Sequence, residues 1–143
     1  MKHFFPLFVL LISTIAVKAQ TDSTAFRCYL ENKELEVYMN INFHGQDVSV
    51  PGQDYYGKVP GFLGKTNNPF CWIIVDAQVK SDTEAELTMV NDYGSEDLTA
   101  RLERKNDSLY VLRQGTGSSI KVPRKGKWFK LPQNIRFVRV GRR

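Results

Sequence analysis

Near the end of the chain, aromatic side chains are interspersed among many cationic ones, and no acidic residue is present. The stretch KVPRKGKWFKLPQNIRFVRVGRR (121–143) holds nine Lys or Arg. Basic groups bind anions, and neighbouring rings add contact area. We therefore expect a surface for an anionic or acidic partner; the alternative is a solvated strand edge whose charges only discourage aggregation. The candidate binding residues are Lys121, Arg124, Lys125, Lys127, Trp128, Lys130, Arg136 and Arg139.

A second candidate is the loop GQDYYGKVPGFLGK, in which aromatic residues lie among glycines. Tyr55, Tyr56, Phe62 and Leu63 form a candidate recognition loop, because tyrosine covers a large area at low conformational cost. The alternative is that these side chains close one end of the fold.

Residue types that usually perform catalysis or bind metals are scarce. After residue 19 the chain has one histidine, His44, and no G-x-S-x-G motif. The turn NDYGSED (91–97) could offer oxygens to Ca²⁺, but its spacing differs from the twelve-residue calcium loop, so we expect a solvated turn. We predict no catalytic residue, no metal site and no cofactor.

The first 19 residues have the pattern of a cleavable secretory signal. A cationic start precedes an apolar run, and Val17-Lys18-Ala19 offers small residues for cleavage after Ala19. A transmembrane anchor is the alternative, but the run is shorter than roughly 20 residues and contains Pro6. We expect a soluble, periplasmic or secreted protein. Nucleic acid is then not the expected partner, which leaves a protein or an anionic envelope component, with peripheral envelope contact possible.

Two cysteines, Cys28 and Cys71, remain after the signal. In an exported protein an even pair favours a disulfide, and two buried free thiols are the alternative.

A two-residue hydrophobic period predicts the fold class. In ELEVYMNIN (34–42) apolar and polar residues alternate, and AELTM (85–89) and LTARLER (98–104) repeat the pattern. This period indicates antiparallel strands with one buried face. We predict an all-β fold of about eight to ten strands, either a small barrel or a two-sheet sandwich. Residues 43–70 are expected to form a long loop with one or two short strands.

The expected boundaries are a signal at 1–19, a short tail at 20–24, one β domain at 25–140 and a basic tail at 141–143. The last strand, NIRFVRV (134–140), departs from strict alternation. We expect a bulge at Phe137-Val138 that turns Val138 inward and Arg139 outward. The alternative is a regular strand with one arginine extending from the inner face.

The segment FRCYLENKELEVYMN (26–40) resembles the opening of small periplasmic lysozyme inhibitors of the membrane-bound C-type class. In that family an aromatic residue and a cysteine precede a polar turn and an alternating strand. The resemblance implies an eight-stranded antiparallel barrel that blocks a hydrolase. The Ser/Gly/Ala-rich stretch ending in Arg-Tyr that carries inhibition is absent, so the resemblance supports the secreted barrel and not the activity.

Three functions follow from these observations. The first is a monomeric, non-enzymatic binding protein, inhibitor-like or envelope-associated, that uses the basic and aromatic surface. The second is a lipocalin-like carrier of a small apolar ligand, since an eight-stranded barrel either fills itself or holds one ligand. The third is a small hydrolase, for which no site is recognisable.

Overall fold

The computed structural model describes residues 24–141 as a β structure. The predicted signal (1–19), residues 20–23 of the predicted tail, and residues 142–143 lie outside the described range. Within that range, no helix has the length and apolar character needed to cross a bilayer. The strands are β1 (Arg27–Asn32), β2 (Val37–Asn42), β3 (Val48–Ser49), β4 (Lys58–Val59), β5 (Gly61–Lys65), β6 (Asn68–Ser81), β7 (Glu84–Asn91), β8 (Asp97–Arg104), β9 (Leu109–Gly117), β10 (Lys121–Arg124), β11 (Lys127–Lys130) and β12 (Asn134–Val140).

Eight of these strands close into one antiparallel barrel in the order β1-β2-β5-β6-β7-β8-β9-β12, and β12 pairs with β1. Two hairpins are inserted into this meander: β3–β4 between β2 and β5, and β10–β11 between β9 and β12. The prediction of an all-β barrel is confirmed. The sandwich alternative is wrong, because the main sheet has no open edges.

Alternating apolar residues line the barrel interior, as the period of two requires. In β2, Val37, Met39 and Ile41 are buried, while the residues between them are partly exposed. The interior is one continuous cluster to which all eight barrel strands contribute. Its largest fully buried side chains include Trp72, Tyr110, Phe26, Phe137, Leu30, Met39 and Met89.

The β3–β4 hairpin covers part of the outer wall of the barrel. Val48 and Val59, which face each other across the hairpin, pack with Phe62, Cys71 and Ile73 in a second apolar cluster. Strand β5 is consequently buried on both faces along its whole length. This explains why residues 61–65, predicted as part of a loop, form a barrel strand without any alternation of apolar and polar residues.

The predicted disulfide is wrong, because both cysteines are buried free thiols. Cys28 belongs to the interior cluster and Cys71 to the outer cluster. Strands β1 and β6 are also separated by β2 and β5. Three strand spacings of about 4.8 Å exceed by far the Cα separation of roughly 4.4–6.8 Å that a disulfide needs.

The predicted bulge in β12 is also wrong. Its pairing with β9 and β1 runs without a register shift, so strict alternation holds. Val138 is 53% exposed, and Arg139 lies on the inner face, where it pairs with Leu30 of β1. An arginine is tolerated there because β12 ends at the barrel mouth, where the side chain is partly exposed. The alternative of a regular strand with one inward arginine is therefore the correct one.

Candidate functional site

The basic hairpin (Lys121–Lys130) is formed by β10 and β11 and carries most of the predicted binding residues. Arg124 pairs with Lys127 across a two-residue turn. Both turn residues, Lys125 and Gly126, have positive φ (50° and 76°). This is the geometry of a type I′ turn, whose twist matches that of the flanking strands. Gly126 at the second turn position accepts this backbone without strain.

One face of the basic hairpin packs on the barrel. Val122 and Phe129 pair across the two strands; Val122 is 1% exposed, and Phe129 packs against the interior cluster. The indole Nε1 of Trp72, in the barrel core, donates a hydrogen bond of 2.9 Å to the Lys121 carbonyl. These contacts fix the hairpin over the barrel end at which β9 ends and β12 begins, here termed the hairpin end.

The opposite face of the hairpin presents Trp128, which pairs with Pro123 and is 56% exposed. Its ring contacts Phe70 edge-on, with a centroid distance of 5.0 Å. Phe70 in turn lies 6.0 Å from the ring of Tyr93, which is 73% exposed. We call Trp128, Phe70 and Tyr93 the aromatic ridge. It joins β11, the start of β6 and the β7–β8 turn at the hairpin end.

Two open clefts flank the aromatic ridge and share Phe70, Tyr93 and Trp128 as walls. The larger has a volume of about 400 Å³ and the smaller about 240 Å³. Polar groups complete each cleft. The larger cleft adds Asn68, Asp92 and Lys127, and the smaller adds Ser95, Glu96 and Lys121.

Asn91 braces the β7–β8 turn, which carries Tyr93. The Asn91 side-chain oxygen accepts hydrogen bonds from the backbone N–H of Ser95 (2.9 Å) and of Glu96 (3.2 Å). That oxygen is therefore committed to the turn, although the sequence offered it as a calcium ligand. Across the described residues, no group of three or more His, Cys, Asp or Glu is arranged to hold a metal ion.

The cations of the hairpin differ in their partners. Lys121 Nζ lies 3.9 Å from a Glu96 carboxylate oxygen, and the Arg124 guanidinium lies 4.9 Å above the Phe129 ring. Lys127 and Lys130 are exposed and form no ion pair with other described residues. These two ammonium groups are free to meet an external anion.

The pKa values of two carboxyl groups near the hairpin end are shifted by their surroundings. A hydrogen bond from Lys65 to Glu36 (2.6 Å) lowers the pKa of Glu36, and the charges of Arg124 and Lys125 lower it further. Burial raises the pKa of Asp92, which accepts a hydrogen bond from the Gln53 amide. The hairpin end therefore presents both signs of charge.

The structure does not bring all eight predicted binding residues together. Arg136 is exposed on the outer face of β12. Arg139 lies at the opposite barrel end, where its charge acts on Cys28 and Tyr110. The other six predicted residues are in the basic hairpin.

The predicted recognition loop is divided between surface and core. Tyr55 is 90% exposed and packs edge-on against Tyr56, at 5.2 Å between centroids. Phe62 and Leu63 are 4% and 0% exposed, because β5 buries one against the outer hairpin and the other in the barrel. Neither can contact a partner. His44 lies in the exposed turn after β2.

Sequence reasoning did not identify Phe70 and Tyr93 as site residues. Phe70 and Tyr93 are 23 positions apart in the chain and distant from Trp128; the pairing of β6 with β7 and the packing of the basic hairpin on the barrel bring the three rings together. Local patterning carries no signal for such a cluster.

Comparison of the chain with protein-family models, with curated proteins and with solved structures gives no match. The resemblance of residues 26–40 to lysozyme inhibitors therefore stays a prediction.

Proposed function

We propose that this chain is an exported, non-enzymatic binding protein that holds an anionic partner through the basic hairpin. The observation that carries the proposal is that Lys127 and Lys130, which precede and follow the exposed Trp128 in β11, form no ion pair within residues 24–141. The fold requires Val122 and Phe129 for packing, and Lys121 and Arg124 contact Glu96 and Phe129, but no described residue forms an ion pair with Lys127 or Lys130. Export rests on the signal predicted at residues 1–19.

Charge distribution supports the same proposal. Residues 121–143 carry nine basic side chains and no acid, whereas the rest of the chain after residue 19 has more acids than bases. A polarised molecule orients in the field of a charged partner, which raises the association rate at low ionic strength. Five of these nine bases lie in the basic hairpin, so an anionic partner is attracted to the hairpin more than to the acidic part of the chain.

The lipocalin-like alternative lacks a supporting observation. The barrel interior holds Trp72, Tyr110, Phe26 and Phe137 as fully buried side chains. The interior of an eight-stranded barrel is about wide enough to be filled by side chains, and here rings of this size occupy the space that a carrier would use for its ligand.

The test is charge reversal with a matched control. Lys127→Glu combined with Lys130→Glu should weaken binding to an isolated envelope fraction by at least about tenfold, because each charge near an anionic surface contributes roughly 1 kcal/mol. Lys58→Glu with Lys80→Glu changes the net charge equally, away from the hairpin end, and should leave binding nearly intact. Co-sedimentation at low and moderate salt measures both. If the two double variants lost envelope binding equally, or if neither lost it, the basic hairpin would not be the binding surface.

A further inference from the structure

Two rings of the aromatic ridge, Trp128 and Tyr93, are exposed, and each contacts the ring of Phe70. Strand pairing positions the backbone at Trp128, and the Asn91 hydrogen bonds brace the turn that carries Tyr93. More than half of each of the two outer side chains, 56% for Trp128 and 73% for Tyr93, is open to solvent. Pre-positioned ring faces lose little entropy when a flat, partly apolar group stacks on them.

Phe70 connects the two exposed rings but does not itself offer a stacking face, because it is 6% exposed and belongs to the interior cluster. Its ring contacts Trp128 at 5.0 Å and Tyr93 at 6.0 Å between centroids, so the two outer rings share one neighbour. Both clefts are lined by Trp128 and Tyr93, so an extended ligand that enters either cleft meets an exposed ring.

The polar groups of the clefts carry both signs of charge. Lys127 lies in the larger cleft with Asp92, and Lys121 lies in the smaller cleft with Glu96. A lipid bilayer of anionic headgroups is a continuous negative plane, and both carboxylates would face it and be repelled. A polysaccharide carries its acidic groups at intervals and hydroxyls between them. It can satisfy the ammonium groups with its acids and the carboxylates with its hydroxyls.

We propose that the aromatic ridge and its two clefts bind an anionic polysaccharide, with sugar rings stacked on Trp128 and Tyr93 and an acidic group held by Lys127. The inference rests on the proposed function and specifies its ligand class.

The experiment measures affinity for four probes by titration calorimetry: oligogalacturonate, a neutral maltooligosaccharide, phosphatidylglycerol vesicles and polyglutamate. Acrylamide quenching of Trp128 emission reports whether the ridge is covered. We expect oligogalacturonate to bind best and to protect Trp128 from quenching. Trp128→Ala and Tyr93→Ala should each weaken oligogalacturonate binding by about tenfold, since stacking on one ring is worth roughly 1–3 kcal/mol in nucleic-acid grooves.

The comparison variant is Tyr55→Ala, which removes another exposed tyrosine. If Tyr55→Ala weakened oligogalacturonate binding as much as Tyr93→Ala, the inference would be overturned. It would also be overturned if Trp128→Ala and Tyr93→Ala both left oligogalacturonate binding unchanged. Preference for vesicles or polyglutamate would overturn the glycan assignment and leave the proposed function standing. No binding to any anionic probe, together with an unaltered envelope interaction of the charge-reversed hairpin, would overturn both.

Discussion

Gln114 braces the base of the basic hairpin, and its replacement by leucine should destabilise the protein. The side chain is 7% exposed at the end of β9. Its Oε1 accepts a hydrogen bond of 2.7 Å from the backbone N–H of Ile120, just before β10. Its Nε2 donates a hydrogen bond of 2.9 Å to the Pro132 carbonyl, just after β11. One amide therefore ties both connections of the hairpin to the barrel.

The cost follows from which partners are left unpaired. Ile120 is fully buried, so its N–H would lose its hydrogen bond where water cannot replace it, at about 1–3 kcal/mol. Pro132 is exposed and its carbonyl can be hydrated, which limits that loss to about 0.5–1 kcal/mol. Leucine has a volume close to that of glutamine and leaves little cavity. We expect the Gln114→Leu change to lower the free energy of unfolding by about 2 kcal/mol.

Urea unfolding of Gln114→Leu and of Gln78→Leu measures the difference. Gln78 is exposed on β6, and its side chain accepts a hydrogen bond of 3.3 Å from Lys80, so the same substitution there should change stability by less than about 0.5 kcal/mol. Hydrogen exchange at the Ile120 amide should accelerate in the Gln114 variant alone. If both variants unfold at the same urea concentration, the brace does not contribute and the reasoning is refuted.

Three further outcomes are expected. Denatured, unreduced protein should present two reactive thiols per chain, and the native protein should react slowly, because Cys28 and Cys71 are buried and free; fewer than two would restore the disulfide. Burial raises the pKa of Cys71 from 9.0 to about 12. The contribution of this thiol to stability should therefore be complete below pH 9 and should decrease as the pH rises toward 12, by up to about 1.4 kcal/mol per pH unit. In thermal unfolding measured against pH, the stability of Cys71→Ala should decrease less steeply than that of the original protein. Val138→Asp should cost less than about 1 kcal/mol because the residue is exposed, whereas Val37→Asp, at 0% exposure, should prevent folding; a severe cost at Val138 would favour the bulge.

A strand of this fold can be predicted from the sequence when one of its faces is exposed to solvent. β2, β7 and β8 each expose one face, so their alternation is visible in the sequence and was interpreted correctly. β5 (Gly61–Lys65) is buried on both sides, and its glycines accommodate neighbours. A Cβ at Gly64 would lie 2.4 Å from the Tyr38 ring. The sequence of such a strand resembles that of a glycine-rich loop, because the requirement for glycine comes from side chains on the neighbouring strand.

The disulfide error has a related cause. In β6 the apolar run CWII faces the barrel interior with Trp72 and Ile74 and the outer hairpin with Cys71 and Ile73. A run that is apolar on both faces does not reveal which parity points inward. The sequence therefore could not place Cys71 on the side opposite to Cys28.

The exposure of Trp128 follows from the pairing of the basic hairpin and needs no partner to explain it. Val122 and Phe129 form one cross-strand pair on the packed face, so the next pair, Pro123 and Trp128, must lie on the other face. Turning Trp128 inward would require a one-residue slip that turns Phe129 out of the core. Parity thus fixes the direction of the side chain but not its type, because a threonine or lysine at position 128 would satisfy the same geometry. The proposed glycan site therefore depends on the choice of a large indole at a position that the fold leaves open to solvent. Unchanged binding after truncation of Trp128 to alanine would contradict it.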